Sequence, residues 1–221
     1  MRAFTVYEQI EHDQPGTPAR IHTYPHREDL AAMEADIRAA KLLADVVIVS
    51  HHWGIHFVRA VVADYQRDVA RAAIAAGADA IIGGHAHILK GVELIDGKPV
   101  FYSLCNFATD LRMDPAHAAS KSFNEIRALA EEWEPDFDSL YNFPKAARLS
   151  IAVRLELAGG RVTRAGFLPL HIGSDAIPRP AAPGSAEHAE VVDYLEAVTA
   201  EAGLNARFRV AADMVEVEGA P

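Results

Sequence analysis

The sequence predicts an α/β protein with parallel strands, on three observations. Val46-Val47-Ile48-Val49-Ser50 and Asp79-Ala80-Ile81-Ile82-Gly83 are short, apolar throughout and rich in β-branched residues. That is the pattern of strands covered on both faces. Between them, Tyr65, Val69, Ala72 and Ala76 recur at helical spacing over Asp64 to Ala76, and Gly77 supplies the stop. Strand, helix and strand in that order make a right-handed βαβ unit, so both strands end at the same sheet edge. Both also run into histidines: His51-His52-Trp53-Gly54 after the first, and Gly84-His85-Ala86-His87 after the second.

Taken in order, residues 1–27 carry a strand-like run from Phe4 to Tyr7, then Pro15-Gly16 and Arg20 to Tyr24, and are loosely specified. Glu28 to Ala44 reads as a helix, because Leu30, Met33, Ile37, Ala40 and Ala44 share a face. Its acidic start, Glu28 and Asp29, suits the positive helix end. His51 to Val62 reads as a loop. Gly91–Ile95 and Val100–Leu104 flank Asp96-Gly97, a strong hairpin signal. Residues 111–145 are polar and aromatic, with a helical patch near Phe123 to Trp133, and read as an excursion from a core at 28–110. The closing part, 146–217, comprises a hairpin around Gly159-Gly160, a Pro-rich linker from Ile177 to Gly184, a helix over Glu187–Ala202 and a final strand from Phe208 to Val217.

Composition narrows the function classes. A formal net charge of −10 argues against nucleic acid, whose phosphates need clustered Lys and Arg. No window holds the roughly 18 uninterrupted apolar residues of a membrane span, and the N-terminus lacks a secretory apolar region. The sequence as it stands therefore reads as cytoplasmic. The single cysteine, Cys105, excludes an internal disulfide and reads as a small buried hydrophobe rather than a nucleophile.

Among the 11 histidines, position separates the candidates. His85 and His87, fed by a buried strand and glycines, are placed to hold a metal, although loop histidines bonded to backbone would look the same. Alternation along an extended chain lets only one of His51 and His52 face the site, and His52 is preferred. Trp53 reads as a rigid wall beside it. His56 reads as peripheral or solvated. His12, His22, His26, His117, His171 and His188 show no partner pattern. Asn106 serves equally well to donate to an anionic ligand or to hold a turn.

The segments Ser50-His51-His52-Trp53-Gly54, Gly83-Gly84-His85-Ala86-His87, Gly91-Val92-Glu93 and Lys98 to Phe107 resemble, in order and spacing, the C-terminal half of the CapA proteins. That family is associated with poly-γ-glutamate capsule synthesis and belongs to the metallophosphoesterase-like superfamily. The resemblance runs from about Ile21 to Val217. It implies a four-layer α/β/β/α sandwich and a dinuclear site holding Zn²⁺ or Mn²⁺. It implies His52, His85 and His87 as ligands, and places Asn106 and Asp110 near the site. Gly84 stands where many members have another histidine, and Cys105 where glycine is usual. The family's Gly-Asp and Asn-His dipeptides occur nowhere in this sequence.

The sequence therefore resembles a CapA-like protein lacking its N-terminal half. That half is expected to provide the carboxylates which balance and bridge two cations. Expected orienting partners for the histidines are Asp110, Ser50 or Ser103. The activity implied is metal-dependent hydrolysis of a phosphoester or γ-glutamyl amide. The alternatives are a non-catalytic module that handles an acidic polymer, for which Arg59, Arg67 and Arg71 offer local positive charge, an assembly partner, or an inactive remnant. Apolar surface left uncovered by a missing half predicts association with that half or self-association.

Overall fold

The structure, a computed structural model, describes residues 1–8, 20–130 and 133–219. Pro15-Gly16 and His12 lie outside them. The loosely specified start contains an antiparallel ribbon, β1 (Ala3–Glu8) and β2 (Arg20–Pro25), paired from Ala3↔Pro25 to Glu8↔Arg20. The His22 ring clips it to the body, lying 3.0 Å from Glu8 and 3.3 Å from Asp64. Helix α1 (Arg27–Lys41) buries Ile37, with Leu30 and Met33 packed on the same core. It stops three residues before the expected Ala44. Leu42 and Leu43 are turned out to solvent instead, 87% and 89% exposed.

Strand β3 (Ile48–His52), helix α2 (Asp64–Ala76) and strand β4 (Ala80–Gly84) form the expected βαβ unit. The two strands pair in parallel from Ile48↔Ala80 to His52↔Gly84. Each begins and ends one or two residues later than its apolar run, because backbone pairing continues through the polar residues. Asp79 fixes the register: its Oδ2 accepts from Lys41 Nζ at 2.6 Å and from the Val47 amide at 2.8 Å. The hairpin β5 (Leu89–Ile95) and β6 (Lys98–Leu104) completes a sheet of order β3-β4-β6-β5, with β6 parallel to β4. One face of this sheet packs Ile81, Val100 and Tyr102 against Val69, Ala73 and Ile74 of α2. Completely buried side chains such as Ile81 and Val69 each contribute about 2 kcal/mol.

The excursion is folded. Short helices α3 (Pro115–Ala118) and α4 (Lys121–Arg127) place Phe123 beside Trp133, and this aromatic cluster packs on Phe57, Ile88 and Tyr141. It thereby buttresses the loops that carry the histidines. The second sheet contains β7 (Leu149–Ala158), β8 (Arg161–Ile172) and the short β9 (Pro178–Pro180), which lies inside the expected linker and pairs with β8. Helix α5 (Ala186–Glu201) packs Val191, Leu195 and Val198 into one core with Leu89 and Phe101 of the first sheet and Phe167 of the second. The expected final strand is instead a hairpin, β10 (Ala206–Val210) and β11 (Val215–Gly219), closed by the bond from the Ala211 amide to Met214 O. The second sheet runs β10-β11-β8-β7. Two sheets sharing a core, with α1 and α2 outside the first, are the metallophosphoesterase-like α/β arrangement. No helix among the described residues is long and apolar enough to cross a membrane.

Candidate metal centre

The histidines gather because of where β3 and β4 end. Pairing brings His52 level with Gly84, so the residue that follows β4, His85, comes within reach of it: His52 Nε2 and His85 Nδ1 are 2.8 Å apart. His87 follows, with its ring 6.4 Å from that of His85. The chain turns sharply to present them. His85 has φ +93° and His87 φ +55°, left-handed conformations unusual for residues with a Cβ.

A fourth histidine joins them. The His56 ring lies 3.9 Å from that of His85 and 5.4 Å from that of His87, on a loop fixed by the bond from the Phe57 amide to Ala86 O. Of the two sequence readings, beside the site or in solvent, the structure favours the first: its ring lies against those of His85 and His87. The loop has no periodicity that would reveal this, and the fixing bond spans 29 residues.

Trp53 does not line the cluster. It is 5% exposed in the core under α2, and its indole N–H donates to Tyr102 O at 2.9 Å. Alternation explains this, because a residue adjacent to His52 faces the other side of the sheet. His51 stacks on Trp53 with ring centroids 4.6 Å apart, and its buried Nε2 has no hydrogen-bond partner among the described residues. Asp110 is exposed, and its carboxylate makes no hydrogen bond or ion pair among the described residues. Among the described residues, none of the expected orienting partners bonds to a histidine of the cluster. Ser103 Oγ accepts from the Cys105 amide instead. Asn106 takes that part: its Oδ1 lies 2.7 Å from His87 Nδ1.

Burial and the neighbouring imidazoles of His56, His52 and His87 press the pKa of His85 down to about 4. His56 is lowered by burial and by His87 and His52. His85 is thus neutral at pH 7, the form of imidazole that donates a lone pair to a cation. Burial pushes the Cys105 thiol up to about 12, which removes it as a nucleophile at neutral pH. Beside the cluster, His51, His52, Gly83, Gly84, Asn106, Phe107 and Ile151 line an open cleft of about 360 Å³ between the sheets.

Among the described residues, no three His, Cys, Asp or Glu side chains already surround a common point as a metal would require. The donor chemistry nevertheless fits one borderline cation. Two imidazole nitrogens on a tetrahedral Zn²⁺ sit roughly 3.4 Å apart, about half an ångström wider than the His52–His85 pair. Among the described residues, none of the hydrogen-bond, ion-pair or ring contacts of His52, His56, His85 and His87 involves a carboxylate, which a pair of cations would need.

The fold and the histidine-bearing strand ends define an α/β protein of the metallophosphoesterase type. Residues 3–111, which carry the four histidines of the cluster, match the family described as bacterial capsule synthesis protein PGA_cap, and this part of the chain is CapA-like. Over 74 residues it is 46% identical to the PGA biosynthesis protein CapA of Bacillus subtilis (strain 168), a match covering 34% of this chain and 19% of that protein. It is 39% identical over 67 residues to the capsule biosynthesis protein CapA of Bacillus anthracis, covering 30% and 16%. It is 35% identical over 104 residues to the uncharacterized protein y4sH of Sinorhizobium fredii, covering 44% and 22%. The chain thus spans about a fifth of the length of the relatives it matches.

Proposed function

We propose that this chain carries the histidine half of a metal-dependent hydrolytic site in capsule or poly-γ-glutamate synthesis, acting on a phosphoester or a γ-glutamyl amide. The observation that carries the reading is the convergence of three imidazoles that follow two parallel strands with a fourth, His56, brought in by a loop, beside an open cleft. His52, His85 and His87 are the proposed ligands of one Zn²⁺ or Mn²⁺, with His56 as a fourth. When bound, such a cation polarises a substrate oxygen and lowers the pKa of water. The chain's part is to keep His85 neutral, to hold the imidazoles together at the strand ends, and to offer the substrate the cleft beside His51 and Asn106. A dinuclear centre, and turnover with it, needs bridging carboxylates, which the described contacts of these histidines do not supply.

The missing carboxylates also favour a second reading, a non-catalytic role in polymer handling or assembly. Its positive charge is largely spoken for. Arg59 pairs with Glu201 at 2.8 Å, Arg67 donates to Ala202 O, and Arg71 is 3.8 Å from Asp68.

Metal titration followed by assay on a phosphodiester and on a γ-glutamyl amide, with added Mn²⁺, separates the two. The hydrolytic reading expects one equivalent of Zn²⁺ or Mn²⁺ bound, weakened at least tenfold by His85→Ala or His87→Ala and measurably by His56→Ala. It expects turnover only once a longer chain supplies the carboxylates. Failure of the chain to bind a divalent cation would refute it. Robust turnover by the 221 residues alone would show the site to be complete.

A further inference from the structure

We propose that Tyr141 and Asn106 are positioning residues that lock His87 in its Nδ1–H tautomer and so leave its lone pair on Nε2, the nitrogen not bonded to Asn106. The inference rests on the reading of that cluster as a cation site, but its geometry stands by itself. Three bonds of 2.7 Å run in series: His87 Nδ1 to Asn106 Oδ1, Asn106 Nδ2 to Tyr141 Oη, and Tyr141 Oη to the carbonyl of Ala147.

The order of donors along this series is forced from its far end. A backbone carbonyl only accepts, so the single Tyr141 hydroxyl proton points at Ala147. The Tyr141 oxygen must then accept from Asn106, which requires the NH₂ arm of the amide to face it. The other arm, the carbonyl, therefore faces His87. A carbonyl cannot donate, so His87 Nδ1 must carry the proton, and a neutral imidazole protonated there has its lone pair on Nε2. The opposite tautomer would set two acceptors 2.7 Å apart in a site where little water can intervene.

The surroundings hold the series in place. Tyr141 is 1% exposed and Asn106 8% exposed. Ser150 donates through its hydroxyl to the Asn106 carbonyl, fixing the Asn106 backbone. Phe57 and Phe143 flank the His87 ring at centroid distances of 5.8 and 5.3 Å, which sets its plane. The excursion 111–145 thus reaches His87 through Tyr141 and Phe143.

The test is the imidazole ¹⁵N spectrum of the metal-free chain at pH 8, with His87 identified by its loss in His87→Gln. The expected result is a protonated-type Nδ1 and a lone-pair-type Nε2 in a single tautomer. In Tyr141→Phe the amide loses its orienting acceptor, and His87 should become a mixture. Asn106→Ala should shift it toward Nε2–H, while Asn106→Asp, which keeps an acceptor, should retain Nδ1–H. Zn²⁺ affinity should fall about tenfold or more in Asn106→Ala and recover in Asn106→Asp. An Nε2–H tautomer in the unmodified chain would overturn the proposal. An unchanged His87 in folded Tyr141→Phe would overturn the part assigned to Tyr141. If the tautomers behave as expected but no variant or parent binds Zn²⁺, positioning is upheld and the cation reading fails.

Discussion

Replacing Gly83 by alanine should damage the fold far more than the same change at Gly84, its neighbour. A Cβ on Gly83 would lie 2.2 Å from Tyr102 O and 2.5 Å from Trp53 Nε1, the two atoms of the buried indole bond. One is backbone of the adjoining strand and the other the near side of a packed indole, so neither retreats easily. Overpacking at such a point costs about 1–3 kcal/mol, and a broken buried donor–acceptor pair costs about 1–3 kcal/mol more. The sum, on the order of 4 kcal/mol, is a large part of the roughly 5–15 kcal/mol that holds a domain together. A Cβ on Gly84 meets nothing within 4 Å, and its substitution should shift stability by no more than about 0.5 kcal/mol. Urea unfolding, read by tryptophan fluorescence and far-UV circular dichroism, checks both. Gly83→Ala within about 1 kcal/mol of the parent, or equal losses at the two positions, would refute the steric argument.

Two further outcomes follow from local strain and burial. Cys105 has φ +68°, so Cys105→Gly should be more stable than Cys105→Ala by about 1 kcal/mol in urea melts, reversing the usual order of alanine over glycine. Lys90, on β5, is 2% exposed and donates to Val58 O, and burial lowers its pKa to about 8. Below pH 8 both states hold the proton and the folded chain bears the whole burial penalty. Between pH 8 and about 10.4 the folded state releases its proton first, so stability should rise relative to Lys90→Met by roughly 2–3 kcal/mol. A difference flat across that range in denaturant titrations would contradict it.

What the sequence makes legible is whatever a short stretch of chain decides for itself. Helix α2 is delimited to the residue, Asp64 to Ala76, because its apolar stripe is regular and Gly77 closes it with φ +118°. The strand ends are less legible. Apolar runs mark where side chains are buried on both faces, whereas pairing extends through His51 and His52 opposite Gly83 and Gly84. The same alternation that selects His52 over His51 also removes Trp53 from the site. The turn between β10 and β11 contains no glycine or proline, and Ala211 to Met214 give no sign of it.

The site divides along the same line. His52, His85 and His87 follow strands, and topology alone brings strand ends together. His56 arrives through a loop held by a bond between Phe57 and Ala86, and Asn106 is aimed by Tyr141, 35 residues further along. Such partners leave no periodic trace, since any residue with the right atom at the right distance would serve. The two departures from the family resemblance separate in the same physical way. Gly84 faces open space, so the backbone does not demand glycine there and the position is free to carry or lack an imidazole. Cys105 occupies a left-handed conformation that glycine adopts without strain, so the thiol is held at some cost to the backbone. Its sulfur lies 3.3 Å from His87 O and 3.2 Å from Ala147 O, the carbonyl on which the Tyr141 series ends. A strained residue bonded to both ends of the chain that aims His87 ties the backbone conformation at 105 to the orientation of the cluster.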